Sequence, residues 1–280
     1  RKRVVLMNLD GVMERAAHSN APNTGDYMGQ DGLLYCGKCH TPKQCRIEFD
    51  GKPRVVFCMC ACKKQRQEQE QRDMEQRERQ GKIDQLRVQG IQDKQLLTHT
   101  FGNSQQTPFL TQCWNYVNHW RQMRDNNTGL LLWGDVGCGK SHAAACIANA
   151  LIDHGIPVLV TSFPKIIAEL QGNYQVNRNE YLRSFQRFSL LVLDDFGVER
   201  SSDYVFETMF SIIDERYKSG KPLIITTNLT PDAMRRTNDI VRQRIYDRIQ
   251  EMCIPVRCST QPWRRRAAAQ KLEQAKSVLL

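Results

Sequence analysis

Long apolar runs are missing: the 280-residue chain has no stretch of eighteen apolar residues, which excludes a membrane-spanning helix. A secretion signal is missing too. The opening Arg-Lys-Arg-Val-Val-Leu-Met is basic, but its apolar part is too short for a signal peptide. These two absences lead us to expect a cytoplasmic protein. Residue 1 is Arg rather than Met, so the natural start is expected upstream. No internal repeat runs through the chain, which sets a solenoid aside. Between residues 63 and 89 apolar side chains are almost absent until Ile83, and without an apolar heptad a coiled coil is excluded there.

What fills that stretch is Gln, Glu and Arg, all good helix formers. Acidic and basic residues recur four apart: Glu68 with Arg72, Asp73 with Arg77, Glu75 with Arg79. The segment reads as a charged helical linker over residues 63–95. It divides a small N-terminal domain, residues 1–62, from a larger one, residues 96–280.

Charge and thiols are both unevenly placed. The chain has 40 Lys and Arg against 30 Asp and Glu, a formal charge of +10. Between Arg235 and Lys276 eleven basic residues face four acidic ones, so the excess lies in the last third. Such a patch favours an anionic partner, nucleic acid first. Of eleven cysteines, six lie within the 27 residues from Cys36 to Cys62. In a chain without a secretion signal, a local cluster reads as a metal site before disulfides. Cys36-Gly-Lys-Cys39 is a knuckle whose glycine permits a tight turn. Eighteen residues then intervene before Cys58-Met-Cys60-Ala-Cys62. Four thiolates give tetrahedral zinc, so Cys36, Cys39 and two of Cys58, Cys60 and Cys62 are expected to bind Zn²⁺ in a closed, structural site. His40 and Cys45 stand as outside options.

From residue 96 short apolar runs alternate with helical patterns. Gly129–Trp133, Pro157–Val160, Leu190–Leu193 and Pro222–Thr227 read as buried strands. Trp114–Met123, Ser141–Leu151, Pro164–Leu170 and Tyr204–Tyr217 read as helices. This alternation predicts an α/β domain with a parallel sheet covered by helices on both faces.

One motif carries chemistry in that domain. Gly134-Asp135-Val136-Gly137-Cys138-Gly139-Lys140-Ser141 matches the phosphate-loop pattern, after an apolar strand and opening a helix, with His142 next in line. Its glycines let successive N–H groups face the phosphates of ATP. Lys140 would meet the β- and γ-oxygens, and Ser141 would ligate Mg²⁺. Leu190–Leu193 ends in Asp194 and Asp195. The first is expected to hold the Mg²⁺ shell and the second to polarise the attacking water. Asn228, closing Ile224-Ile-Thr-Thr, could orient the same water.

Together with Arg244-Ile-Tyr-Asp-Arg248-Ile, these motifs in this order resemble the AAA+ ATPases of the DnaC/DnaI and IstB type, helicase loaders and their transposition relatives. The resemblance spans residues 98–266 and rests most on residues 129–151 and 190–199. It implies an AAA+ P-loop fold and slow ATP hydrolysis in a site shared between subunits of an oligomer or spiral. Arg248 would then be the arginine finger reaching a neighbour's γ-phosphate, with Arg244 lining the interface. A second sensor arginine would fall at Arg264, although Pro262 replaces the usual serine there. Asp195 stands where many AAA+ enzymes have Glu, which is consistent with a slow switch. The implied partners are a replicative helicase hexamer and single-stranded DNA. Candidate DNA contacts in the family's places are Ser162, Phe163, Lys165, Arg200, Ser202 and Tyr204. Two other readings remain open: an IstB-like regulator binding duplex DNA, and a non-hydrolysing ATP-binding adaptor.

Overall fold

A computed structural model describes residues 23–172, 177–197 and 202–259. The chain separates into two compact units, Arg1–Arg79 and Gln80–Leu280.

In the first unit a short ladder, β1 (Tyr27–Met28) with β2 (Leu34–Tyr35), precedes a hairpin of β3 (Gln44–Phe49) and β4 (Lys52–Phe57). The hairpin turns through Asp50 and Gly51, both at positive φ (54° and 68°), the two-residue turn that matches strand twist. Asp26 ties the ladder to the knuckle. Its carboxylate accepts from the N–H groups of Asn23 (2.7 Å) and Gly37 (3.1 Å) and from Lys43 Nζ (2.5 Å). These contacts, the Asn23 N–H first, hold its carboxyl down at about 2.

The charged stretch forms α1 (Ala61–Gly90), as its composition predicts, but its last turns are not free linker. From Ile83 apolar residues return at helical spacing, and Ile83 and Ile91 are buried in the core of the second unit with Leu86 packed against it. Ile91 bridges Val160, and a methyl group on Gly90 would lie 2.0 Å from the Val158 carbonyl oxygen. Only glycine allows that approach.

The second unit continues with α2 (Pro108–Asn118), capped by Thr107, and α3 (Trp120–Asp125). Sequence periodicity predicts one helix over Trp114–Met123. It is broken because His119 leaves helical geometry (φ −105°, ψ 21°) with its ring Nδ1 against the Asn115 carbonyl at 2.9 Å. Then follow β5 (Gly129–Trp133), α4 (Lys140–Asp153), β6 (Val158–Ser162), α5 (Phe163–Gly172), α6 (Arg178–Ser184), β7 (Leu190–Phe196), α7 (Asp203–Ser219), β8 (Leu223–Thr227), α8 (Pro231–Arg235), α9 (Ile240–Met252) and β9 (Cys253–Arg257).

These five strands make one parallel sheet in the order β6-β7-β8-β5-β9. Strand residues alternate between two apolar layers. Leu130, Leu132, Val160 and Ile224 meet α2 and α4, whereas Leu131, Leu159, Leu193 and Ile225 meet α5, α7 and α9. Edge strand β9 lacks an apolar run, being mostly exposed with Pro255 at its centre. An edge tolerates that proline because one side of the strand has no ladder to complete. Arg216 is 1% exposed and donates to the carbonyls of Phe188, Ser189 and Pro222, clamping α7 to the starts of β7 and β8. Burial lowers this guanidinium to about 10, so it stays a cation at neutral pH. Among the described residues no helix is long and apolar enough to cross a membrane.

Candidate functional site

The parallel sheet places its strand ends, and the residues that follow them, along one edge. Strand β5 runs into the phosphate loop, whose Gly134, Gly137 and Gly139 all sit at positive φ (145°, 81° and 106°). Gly139 is the N-cap of α4, so the helix's unpaired N–H groups and positive dipole end open at the loop. Asp135 and Val136 are exposed at its tip, and Cys138 is buried beneath it. Lys140, only 6% exposed, is gripped three ways. Its ammonium donates to the carbonyls of Gly134 (2.9 Å) and Asp135 (2.8 Å) and to Asn228 Oδ1 (2.8 Å). The sequence-predicted lysine and asparagine therefore meet, 88 residues apart in the chain.

Strand β7 supplies the carboxylates. Its ladder with β8 shifts register between Leu193 and Phe196, and the bulge puts Asp195 at φ 55°, a left-handed conformation costing roughly 1–2 kcal/mol for a non-glycine residue. Thr226 on β8, fully buried, holds this turn. Its hydroxyl donates to Asp194 Oδ1 at 2.6 Å and accepts from the Asp195 N–H at 2.9 Å. Burial raises the Asp194 carboxyl, against hydrogen bonds from Thr226 and Ser141 that lower it. A divalent cation beside Ser141 and Asp194 would reverse that shift, which is the electrostatics expected of a Mg²⁺ ligand. Asp195 is exposed at the strand tip.

Other features of this site depart from the sequence reading, which ran the nucleotide-binding loop through His142, or lie outside it. His142 turns away from the loop toward Ser104, whose hydroxyl lies 2.8 Å from its Nε2, and its ring lies 4.6 Å from that of His99. Buried Asn149 donates to the carbonyls of Leu96 and His99, pinning the segment before α2 to α4. At the end of β9, Cys258 clasps the phosphate loop. Its N–H donates to Trp133 O at 2.7 Å and its thiol to Cys138 O at 2.9 Å. Asn149 and Cys258 belong to no short motif, and Thr226, although inside Ile224-Ile-Thr-Thr-Asn228, gains its contacts only in the packed sheet.

Arg248 lies elsewhere, on α9 against α7. It pairs with Asp214 at 2.9 Å and stacks over Phe210 and Tyr217, with its guanidinium carbon 4.6 and 5.9 Å from the ring centres. Arg244, one turn earlier, is exposed and lines a cavity of about 280 Å³ with Arg178 and Phe210. Of the candidate DNA contacts, Phe163 is fully buried against Phe196 (5.7 Å between rings), so it is core and offers no face to a base. Ser202 caps α7 through Val205 N, Ser162 and Lys165 are half-buried, and Tyr204 is 37% exposed with Arg178 over its ring. Arg200 and Arg264 lie outside the described residues.

In the N-terminal unit four thiols converge. The Sγ atoms of Cys36, Cys39, Cys60 and Cys62 all lie within 4.8 Å of one another. Cys36–Cys62 and Cys60–Cys62 are 3.7 and 3.4 Å apart. Four Zn–S bonds of about 2.3 Å in a tetrahedron require sulfur separations near 3.8 Å, so the quartet fits zinc. Thr41, 3.1 Å from the Cys39 thiol, draws it down to about 5, toward the thiolate a metal needs. Crowding by Cys60 and Cys39 pushes Cys62 up to about 12, which a bound cation would undo. Cys58 lies outside the quartet. It follows β4, donates its N–H to Lys43 O, and sits beside Cys45.

Known proteins agree with this architecture. Residues 65–271 match the profile of the IstB-like ATP binding protein family. The protein YdaV of Escherichia coli K12 is 31% identical over 124 residues, 44% of this chain and 49% of YdaV. The replicative helicase loader DnaC of the same organism is 28% identical over 127 residues, 44% of this chain and 51% of DnaC. The chain thus spans about half the length of these curated relatives. A solved structure of DnaI superposes with a TM-score of 0.52 at 22% identity, over 59% of this chain and 93% of DnaI, which shows the shared fold.

Proposed function

Because the chain belongs to the IstB-like ATP-binding family, in which DnaC is a relative, we propose that it is an ATP-hydrolysing helicase loader acting on single-stranded DNA. The observation that carries the ATPase reading is the joining of three strand ends. Lys140 of the loop is bonded to Asn228 just past β8, while Thr226, two residues back on that strand, holds both Asp194 and Asp195. A γ-phosphate entering among Lys140, Asn228 and Asp195 meets the cation, the orienting amide and the carboxylate together.

Each residue then has a role. The N–H groups of residues 134–142 bind the phosphates, and Lys140 neutralises them. Ser141 and Asp194 would hold Mg²⁺, which would supply counter-charge to the phosphates. Asp195 accepts a proton from the attacking water, and Asn228 orients that water. Arg248 reaches the γ-phosphate from the next subunit of an oligomer. The Cys36, Cys39, Cys60, Cys62 quartet holds a structural Zn²⁺ in a domain of residues 1–62 that grips the replicative helicase. Tyr204, with the Arg178 guanidinium over its ring, offers an aromatic and a cation to single-stranded DNA.

The test is loading of a replicative helicase onto a single strand coated with its binding protein, with ATP and with and without this chain. Faster loading supports the reading. Unchanged loading together with preference for duplex over single strands overturns it in favour of a transposition regulator. No hydrolysis under any condition leaves only an ATP-binding adaptor.

A further inference from the structure

The partner of the proposed finger is more specific than a finger needs. Asp214 is largely buried, with 14% of its side chain exposed, and holds two cations at once. One oxygen takes Arg248 Nη2 at 2.9 Å and the other takes Lys218 Nζ at 2.6 Å. Arg248 is only 28% exposed and lies over Phe210 and Tyr217. Tyr217 is itself anchored, its hydroxyl donating to Glu251 Oε1 at 2.9 Å. Lys218, by contrast, is 68% exposed and one helical turn from Asp214.

This arrangement has an energetic asymmetry. Removing a guanidinium from a lone buried carboxylate leaves an unpaired charge, which is costly. Here Lys218 remains on Asp214 when Arg248 departs, so the carboxylate keeps a counter-charge. Arg248 exchanges one anion for another, Asp214 for phosphate, without leaving an unpaired ion behind. We propose that Asp214 is a positioning residue that parks Arg248 within its own subunit and, with Lys218 as its substitute cation, releases it to a neighbour's nucleotide. This rests on the reading that Arg248 acts across a subunit boundary.

The experiment is steady-state ATP hydrolysis by the full chain with single-stranded DNA, titrated in protein concentration. Asp214→Asn keeps the side chain's shape and removes its charge. It is expected to lower the protein concentration at half-maximal turnover about three- to tenfold, because less is lost when Arg248 leaves. Lys218→Ala is expected to raise that concentration about twofold, because release then strands Asp214. Opposite shifts from two residues on one helix do not arise from general destabilisation. Shifts in the same direction, or no shift, overturn the proposal. So does loss of the high-concentration plateau in Asp214→Asn, which would make Asp214 part of the engaged state instead. The double variant Asp214→Asn/Arg248→Ala should match Arg248→Ala alone. If Arg248→Ala by itself keeps full turnover, the finger assignment fails and takes this proposal with it. If Arg248→Ala abolishes turnover while Asp214→Asn shifts nothing, the finger stands and only the parking role falls.

Discussion

Thr226→Val is the substitution that tests the site most directly, because valine has the same shape and lacks only the hydroxyl. That hydroxyl makes two bonds at a position with no solvent access. Its bond to ionised Asp194 is of the charge-assisted kind, worth about 1.5–3 kcal/mol, and the Asp195 N–H left without an acceptor costs about 1–3 kcal/mol more. Asp195 can recover part of that by turning toward water, since it is exposed, so the net loss of stability should be about 2–4 kcal/mol. For a unit of this size that lowers the thermal midpoint by about 5–12 °C. The catalytic effect should be separate. With its N–H released, Asp195 loses the one bond made directly to its turn, leaving only the Thr227 hydroxyl on the Phe196 carbonyl next to it. It should relax toward ordinary β geometry, moving the carboxylate off the water. ATP binding, which depends on Lys140 and the loop, should change little, while single-turnover hydrolysis should fall about a hundredfold, the scale of a lost general base. Thr226→Ser should restore both. The assays are urea unfolding, binding of a fluorescent ATP analogue, and single-turnover hydrolysis. A Thr226→Val protein that hydrolyses ATP at the parent rate with unchanged unfolding would refute the reasoning.

Four further expectations can be measured alongside. Lys140→Ala should weaken ATP binding about a hundredfold by titration calorimetry, because it removes the ammonium held inside the phosphate loop, whereas Asp195→Asn should bind ATP and not cleave it. Metal analysis should return about one Zn²⁺ per chain; Cys60→Ser should lose it and Cys58→Ser should keep it, the reverse result moving the site. Lys43→Met, which strips the cation from buried Asp26 behind the Gly37 knuckle, should weaken zinc binding about tenfold in a chelator competition. Gly90→Ala should cost about 1–3 kcal/mol of unfolding free energy by forcing α1 off the Val158 carbonyl, and an unchanged midpoint would show that the helix end is not seated there.

Legibility in the sequence followed the range of each signal. The phosphate loop, Asp194, Asp195 and Asn228 were readable because short motifs at strand ends have strict local geometry. Strand β9 was not, because an edge strand needs no apolar run and its Pro255 reads as a breaker. The packed end of α1 was hidden for a related reason: Ile83, Leu86 and Ile91 are too few to stand out against the twenty-two charged and amide residues between 63 and 89. Thr226 and Cys258 act through contacts that arise only when β7, β8, β5 and β9 lie side by side, and no pattern within either strand records them. The choice of Cys60 and Cys62 over Cys58 likewise depends on where the β3–β4 hairpin ends. Phe163 illustrates the opposite failure, an aromatic in a place where DNA contacts were expected that the sheet needed for its own packing.

One consequence follows from how the chain leaves α9. Cys253 both caps that helix and begins β9, so no loop residue separates them. The helix carries Arg248, and five strand residues later Cys258 clasps the phosphate loop. Arg248 and the Cys258 clasp on the phosphate loop therefore belong to two elements joined without a loop residue. If Arg248 serves a neighbouring subunit as proposed, a shift of α9 would reach β9 and Cys138 with no loop residue to absorb it. Thermodynamic reciprocity then requires that a nucleotide tightening the cradle also biases the finger, by the same free energy. In the proposed oligomer that linkage would pass from site to site, so occupancy would spread along the row with direction, from each cradle to the next.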